Sequence, residues 1–148
     1  MLLGVVVSAL AALFLVALCS GPGPLAVSAP TGPGAGCLRL HIALPATVDG
    51  GQTRSVDPSS PRTAAWGNPA VVLRCGVARP AGLTPTSEVI EVEGIEWFLV
   101  ERPETYVFTA VGRRTYVQVV VPGSTPRTEA VNALVDLAPA VRRVPAGP

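Results

Sequence analysis

The sequence has no lysine, a single histidine at position 41 and only 14% charged residues, against about 25% in an average soluble domain. With one imidazole in the chain, a Ser-His-Asp arrangement has only His41 as its base, and no Gly-x-Ser-x-Gly nucleophile elbow occurs. The eleven basic residues, all arginine, stand against ten acidic ones for a net charge of +1. That balance argues against nucleic acid, whose binders carry a strongly basic face. Arginine without lysine, together with abundant Ala, Gly, Pro and Val, fits a GC-rich coding sequence, because lysine codons are AT-rich. Arginine content alone is therefore no sign of a site.

Charge is missing altogether before Arg39. Residues 2–18 form an apolar run broken only by Gly4 and Ser8, and at about 1.5 Å per residue they would span about 26 Å as a helix. This is longer than a typical signal-peptide core and just short of the hydrocarbon thickness of about 30 Å. Residues 1–19 are read as a signal peptide or membrane anchor. The basic start that normally precedes such a run is absent, so an in-frame start codon upstream is expected. Three processing outcomes are open: cleavage after Ala26-Val27-Ser28, whose small residues suit an ordinary site; lipidation at Cys19, with Leu18 where a small residue is preferred; and an uncleaved anchor. Each places residues 37–148 outside the cytoplasm.

Residues 20–36, rich in Gly, Pro, Ala and Ser, read as a flexible spacer. Gly32-Pro33-Gly34-Ala35-Gly36 lacks the preceding strand of a phosphate-binding loop. Beyond the leader only Cys37 and Cys75 remain. In an oxidising compartment they are expected to pair, closing a loop of roughly 39 residues and stabilising by about 3–4 kcal/mol on a chain-entropy argument. The alternative is a metal site in which Cys37 and His41 lie one helical turn apart and Cys75 is a third ligand; no fourth ligand is evident.

The expected fold is an α+β domain with a small, largely antiparallel sheet of about five strands and a C-terminal helix. Residues 37–44 read either as an alternating strand or as a short helix ending at Pro45, and the helix is preferred. Residues 54–56 suit a short edge strand, and residues 57–68 a loop. Residues 70–77 suit a central strand with Val71, Leu73 and Cys75 facing inward. Residues 88–92 and 95–100 flank Glu93-Gly94, a tight-hairpin pattern. In that register Val92 lies beside Ile95, Ile90 opposite Trp97 and Glu91 opposite Glu96. A second hairpin joins residues 105–111 to 115–121 through Gly112-Arg113-Arg114. Thr125-Pro126 then offers a helix cap, and Val131, Leu134, Val135, Ala138 and Val141 form an apolar stripe. Pro139 is expected to kink or split that helix.

Among polar groups, Ser87 reads as a turn or strand-edge hydroxyl and His41 as a surface histidine. Glu91 and Glu96 could share a proton or hold a hard cation, although an exposed hairpin face carries such charges without function. Arg74, Arg79, Arg113 and Arg114 form the leading candidate set: brought together, they could grip an anionic ligand or lipid head group. Their ordinary alternative is pairing with Glu88, Glu91, Glu96 or Glu101 across the sheet. Trp66 reads as a packing lid over the sheet, or otherwise as a contact surface.

Several ordered motifs, Ala64-Ala65-Trp66-Gly67-Asn68-Pro69, Leu73-Arg74-Cys75-Gly76 with Arg79-Pro80, Thr84-Pro85-Thr86-Ser87-Glu88, Val92-Glu93-Gly94-Ile95-Glu96-Trp97-Phe98 and Arg114-Thr115-Tyr116-Val117, resemble domain-of-unknown-function family 3515 over residues 37–144. Members of that family usually carry Asn-Gly where this chain has Glu93-Gly94. The resemblance implies a small exported or membrane-anchored actinobacterial protein with a cell-envelope role, and implies no activity or cofactor. The combined expectation is a membrane-tethered envelope domain that binds an envelope protein or anionic ligand. The competing class is an envelope enzyme built on Arg and Glu.

Overall fold

The structure is a computed structural model that describes residues 21–147. The expected leader, Cys19 included, lies outside the described residues. Ten strands and three helices follow in order: β1 (Leu25–Ala26), α1 (Cys37–Ile42), β2 (Thr47–Val48), β3 (Gly51–Arg54), β4 (Val56–Asp57), β5 (Thr63–Trp66), β6 (Val71–Val77), β7 (Ile90–Val92), β8 (Ile95–Arg102), β9 (Thr105–Ala110), β10 (Tyr116–Pro122), α2 (Arg127–Ala130) and α3 (Asn132–Val141).

Eight strands form one sheet in the order β2-β3-β5-β6-β10-β9-β8-β7, antiparallel at every junction. The sheet is therefore larger than the five strands expected. Two of the additions come from the β2–β3 hairpin, whose Asp49-Gly50 turn has both φ values positive. A third is β5, which runs through what reads as a loop; β3 and β6 pair with it on either side.

Side chains alternate across this sheet as the pleat requires. Ala64, Trp66, Val71, Leu73, Cys75, Ile95, Trp97, Phe108, Ala110, Val117, Val119 and Val121 turn to one face and are buried. Helix α3 lies over that face, touching β2, β7 and β10, and packs against α1. It contributes Ala133, Leu134, Leu137, Ala138, Ala140 and Val141 to the core. The expected stripe is thus rotated: Leu137 is buried while Val135 is 43% exposed. The helix also breaks at Val131, between α2 and α3, and not at Pro139, which sits inside α3. The cap is Pro126 rather than Thr125.

The outer face is sequence-distant and mixed. Val72, Val120, Val107 and Val100 stand in register across β6, β10, β9 and β8, and beside them run Arg74, Gln118, Thr109 and Phe98. Residues 21–36, which read as a spacer, are instead structured against the fold. β1 pairs in parallel with β4, Val27 is 8% exposed, and the Gly32 amide donates to the Gly76 carbonyl at 3.1 Å. We refer to this segment as the strap.

Candidate functional site

The strap carries no charge, and its extended backbone leaves carbonyls that need donors. Three arginines supply them from the folded domain. Arg54 Nη2 donates to the Gly23 carbonyl at 3.0 Å. Arg62 Nη1 donates to both Pro30 and Gly32, at 3.2 and 2.6 Å. Arg74 Nε donates to Ser28 at 3.3 Å. The end of β6 is shaped for this approach: Gly76 has φ +94°, and a Cβ there would sit 2.9 Å from the Pro33 carbonyl, so only glycine lets the strap lie so close.

Between the strap and the outer face of the sheet lies a cleft of about 500 Å³, walled by Pro30, Gly32, Gly76 and Val77 with Arg74 and Gln118 among its polar groups. Arg74 is half-buried, and its second contact, Nη1 to Gln118 Oε1, is long at 3.5 Å. A guanidinium has five N–H donors, so most of the donor capacity of Arg74 is unengaged by protein. None of the residues lining the cleft is acidic.

The four arginines singled out by sequence do not share this site; only Arg74 lines it. Arg79 donates to the Tyr116 hydroxyl at 3.1 Å and to the Leu83 carbonyl at 2.8 Å, which pins the loop after β6. Arg113 donates to the Val144 carbonyl at 3.1 Å, and the backbone amide of neighbouring Arg114 donates to Pro145 at 2.9 Å. This pair fastens the C-terminal segment. The arginine–glutamate ladder also fails to form. Among the described residues the one ion pair joins Arg127 to Glu101 at 3.0 Å, with side chains 65% and 49% exposed, an arrangement worth little stability.

Trp66 takes the packing role. It is 1% exposed and its indole N–H donates to the Pro45 carbonyl at 3.0 Å, which leaves almost no surface for a contact role. Ser87 Oγ accepts from the Thr84 amide at 2.8 Å, a local turn bond. Glu91 and Glu96 pair across β7 and β8, both exposed. Cys37 and Cys75 form a disulfide with Cα atoms 5.7 Å apart, so their sulfurs are not free for a metal. No group of three or more His, Cys, Asp or Glu side chains converges among the described residues. His41 is exposed on α1 and lines a second cleft of about 380 Å³ together with Arg54 and Ser60.

Arg54 and Arg62 escaped the sequence reading. Their signal was indirect: an ordered, uncharged Gly/Pro-rich segment has carbonyls that need donors from elsewhere, and arginine is the only cationic donor the domain has beyond one histidine.

The fold and cleft together define an antiparallel α+β domain with helices on one face of its sheet and an arginine-bearing cleft on the other. The chain belongs to the family described as Protein of unknown function (DUF3515), whose family model matches residues 1–148. No curated protein and no solved structure matches the chain.

Proposed function

We propose that this protein is an exported cell-envelope domain, held to the membrane by its apolar N-terminal segment, that binds an anionic group at Arg74 and performs no chemistry of its own. The observation that carries this reading is a half-buried arginine with spare donors in the wall of a 500 Å³ cleft whose lining has no acidic residue. Carboxylate and phosphate oxygens match the planar donor fork of a guanidinium. The envelope-enzyme alternative needs a carboxylate beside the arginine to move a proton, and the cleft lining supplies none. Apolar residues 2–18 and the disulfide support an extracytoplasmic setting.

The test is titration of the full chain in mild detergent with inorganic phosphate, pyrophosphate and acetate, read by calorimetry. Saturable binding of one of these anions that is lost in Arg74→Gln, with cooperative unfolding retained, is the expected result. Equal heats for the parent and Arg74→Gln with all three anions would refute the site.

A further inference from the structure

The tripeptide Ala26-Val27-Ser28 has the small residues of an export cleavage site, yet the structure makes it part of the fold. The Leu25 amide donates to the Ser55 carbonyl at 2.9 Å and the Val27 amide to Asp57 at 3.1 Å. Val27 is 8% exposed, and the strap lies at Val72, Val120 and Arg74 on the outer face of the sheet.

Cutting the Ser28–Ala29 bond would act on the cleft directly. Ser28 owns the carbonyl that accepts from Arg74 Nε, and Ala29 lines the cleft. Cleavage would remove that acceptor and leave the Ala29 α-amine, protonated in good part at neutral pH, near a guanidinium. A hydrogen-bond acceptor would be exchanged for a like charge. The same cut would take away the partner of β4 and the Gly23 acceptor of Arg54, whose Nε is already buried without a partner.

We infer that the mature protein keeps residues 23–28, and that processing at Ala26-Val27-Ser28 does not occur. Of the three outcomes the sequence offers, lipidation at Cys19 and an uncleaved anchor then remain, and both hold the domain at the membrane. Leu25 is six residue steps from Cys19, at most about 22 Å when fully extended, so the binding cleft stays close to the bilayer surface. The step to the bilayer rests on the proposed membrane entry of residues 2–18; retention of the strap does not.

The deciding experiment expresses the full chain in an exporting host and reads the first residue of the mature protein by intact mass and N-terminal peptide sequencing. A first residue at Gly23 or earlier, including an acylated Cys19, is expected; a first residue beyond Gly23, Ala29 above all, overturns the inference. A variant made to begin at Ala29 supplies a second measurement. It is expected to fail to fold, or to melt at least about 5 °C below the parent; an equal melting temperature overturns the inference. Anion titration of the parent chain reads the Arg74 ligand separately, so loss of that proposal would leave this result standing.

Discussion

Arginine in this protein acts first as a backbone donor. The guanidinium of Arg62 bridges the Pro30 and Gly32 carbonyls, two acceptors about thirty residues away in sequence, in a strap that has no side-chain charge. Hydrogen bonds from a charged donor contribute about 1.5–3 kcal/mol each. Arg62→Gln is therefore expected to lose about 2 kcal/mol or more in urea unfolding, and an unchanged midpoint would show that the strap holds by other means. The same approach can be probed from the opposite side at Gly76. A methyl there meets the Pro33 carbonyl and Arg62 Nη1, both at 2.9 Å, on a backbone with φ +94°. Gly76→Ala is expected to cost about 2–4 kcal/mol, the left-handed strain plus a forced shift of the strap. Gly94→Ala has a positive φ too, but no atom within 4 Å of the new methyl, and should cost about 1–2 kcal/mol by the conformational term alone. Comparing the two by denaturant unfolding separates contact from conformation; equal losses would mean that Gly76 matters only for its torsion angle.

At the level of elements, the β7–β8 hairpin shows how much local chemistry settles. Val92 faces Ile95, Ile90 faces Trp97 and Glu91 faces Glu96, the register that alternation about a two-residue turn dictates. Glu93 and Gly94 have φ of 52° and 75°, the left-handed pair of a type I′ turn, which Asn-Gly fits best. Glu93→Asn is expected to stabilise by about 0.5–1 kcal/mol, since asparagine tolerates the left-handed region better than glutamate; a lower urea midpoint would count against that assignment. The inward set of β6 and the short helix α1 were legible for the same reason, a pattern contained within a few residues. What was not legible depended on distant partners. β5 has two alanines among its four residues and prolines on both flanks, and it is a strand because β3 and β6 are there to pair with it. β2 and β3 carried an Asp-Gly turn signal, but exposed Gln52 and Thr53 gave no alternation to support it. The face of α3 was misread by one residue because Val135 and Leu137 are both apolar and both lie at helical spacing from Leu134, Ala138 or Val141, and only packing shows that Leu137 is the buried one. The strap was opaque for the strongest reason: its order comes from backbone pairing with Ser55, Asp57 and Gly76 and from Arg54, Arg62 and Arg74, the arginines being separated from their acceptors by 30 to 46 residues. The candidate site was half legible on the same grounds. Arg74 could be picked out by residue type, whereas Arg79 and Arg113 could not be separated from it until their carbonyl partners were known.

For the molecule as a whole, the disulfide ties the start of α1 to the eight-stranded sheet. Cys37 lies where the strap ends and α1 begins, and Cys75 lies near the middle of the eight-stranded sheet. Within the closed loop fall α1 and strands β2 to β5, with much of β6, so in the unfolded chain this bond restrains the stretch from residue 37 to residue 75. A loop of 38 residues corresponds to about 4 kcal/mol of lost unfolded-state freedom, a large share of the 5–15 kcal/mol typical of a domain. The buried sulfurs add a packing cost on removal, because both cysteines sit in the core at 3% and 0% exposure. The paired Cys37→Ala, Cys75→Ala variant is therefore expected to lose about 4 kcal/mol or somewhat more in guanidinium unfolding. A second reading of the same experiment separates the two contributions. A mainly entropic effect should leave a folded variant with native secondary structure by circular dichroism and an m-value raised by the more open unfolded chain. A mainly packing effect should leave the m-value unchanged. A loss below about 1 kcal/mol would mean that the strap clamps and the sheet pairing alone hold these parts together, and that the covalent link adds little to what the arginines already do.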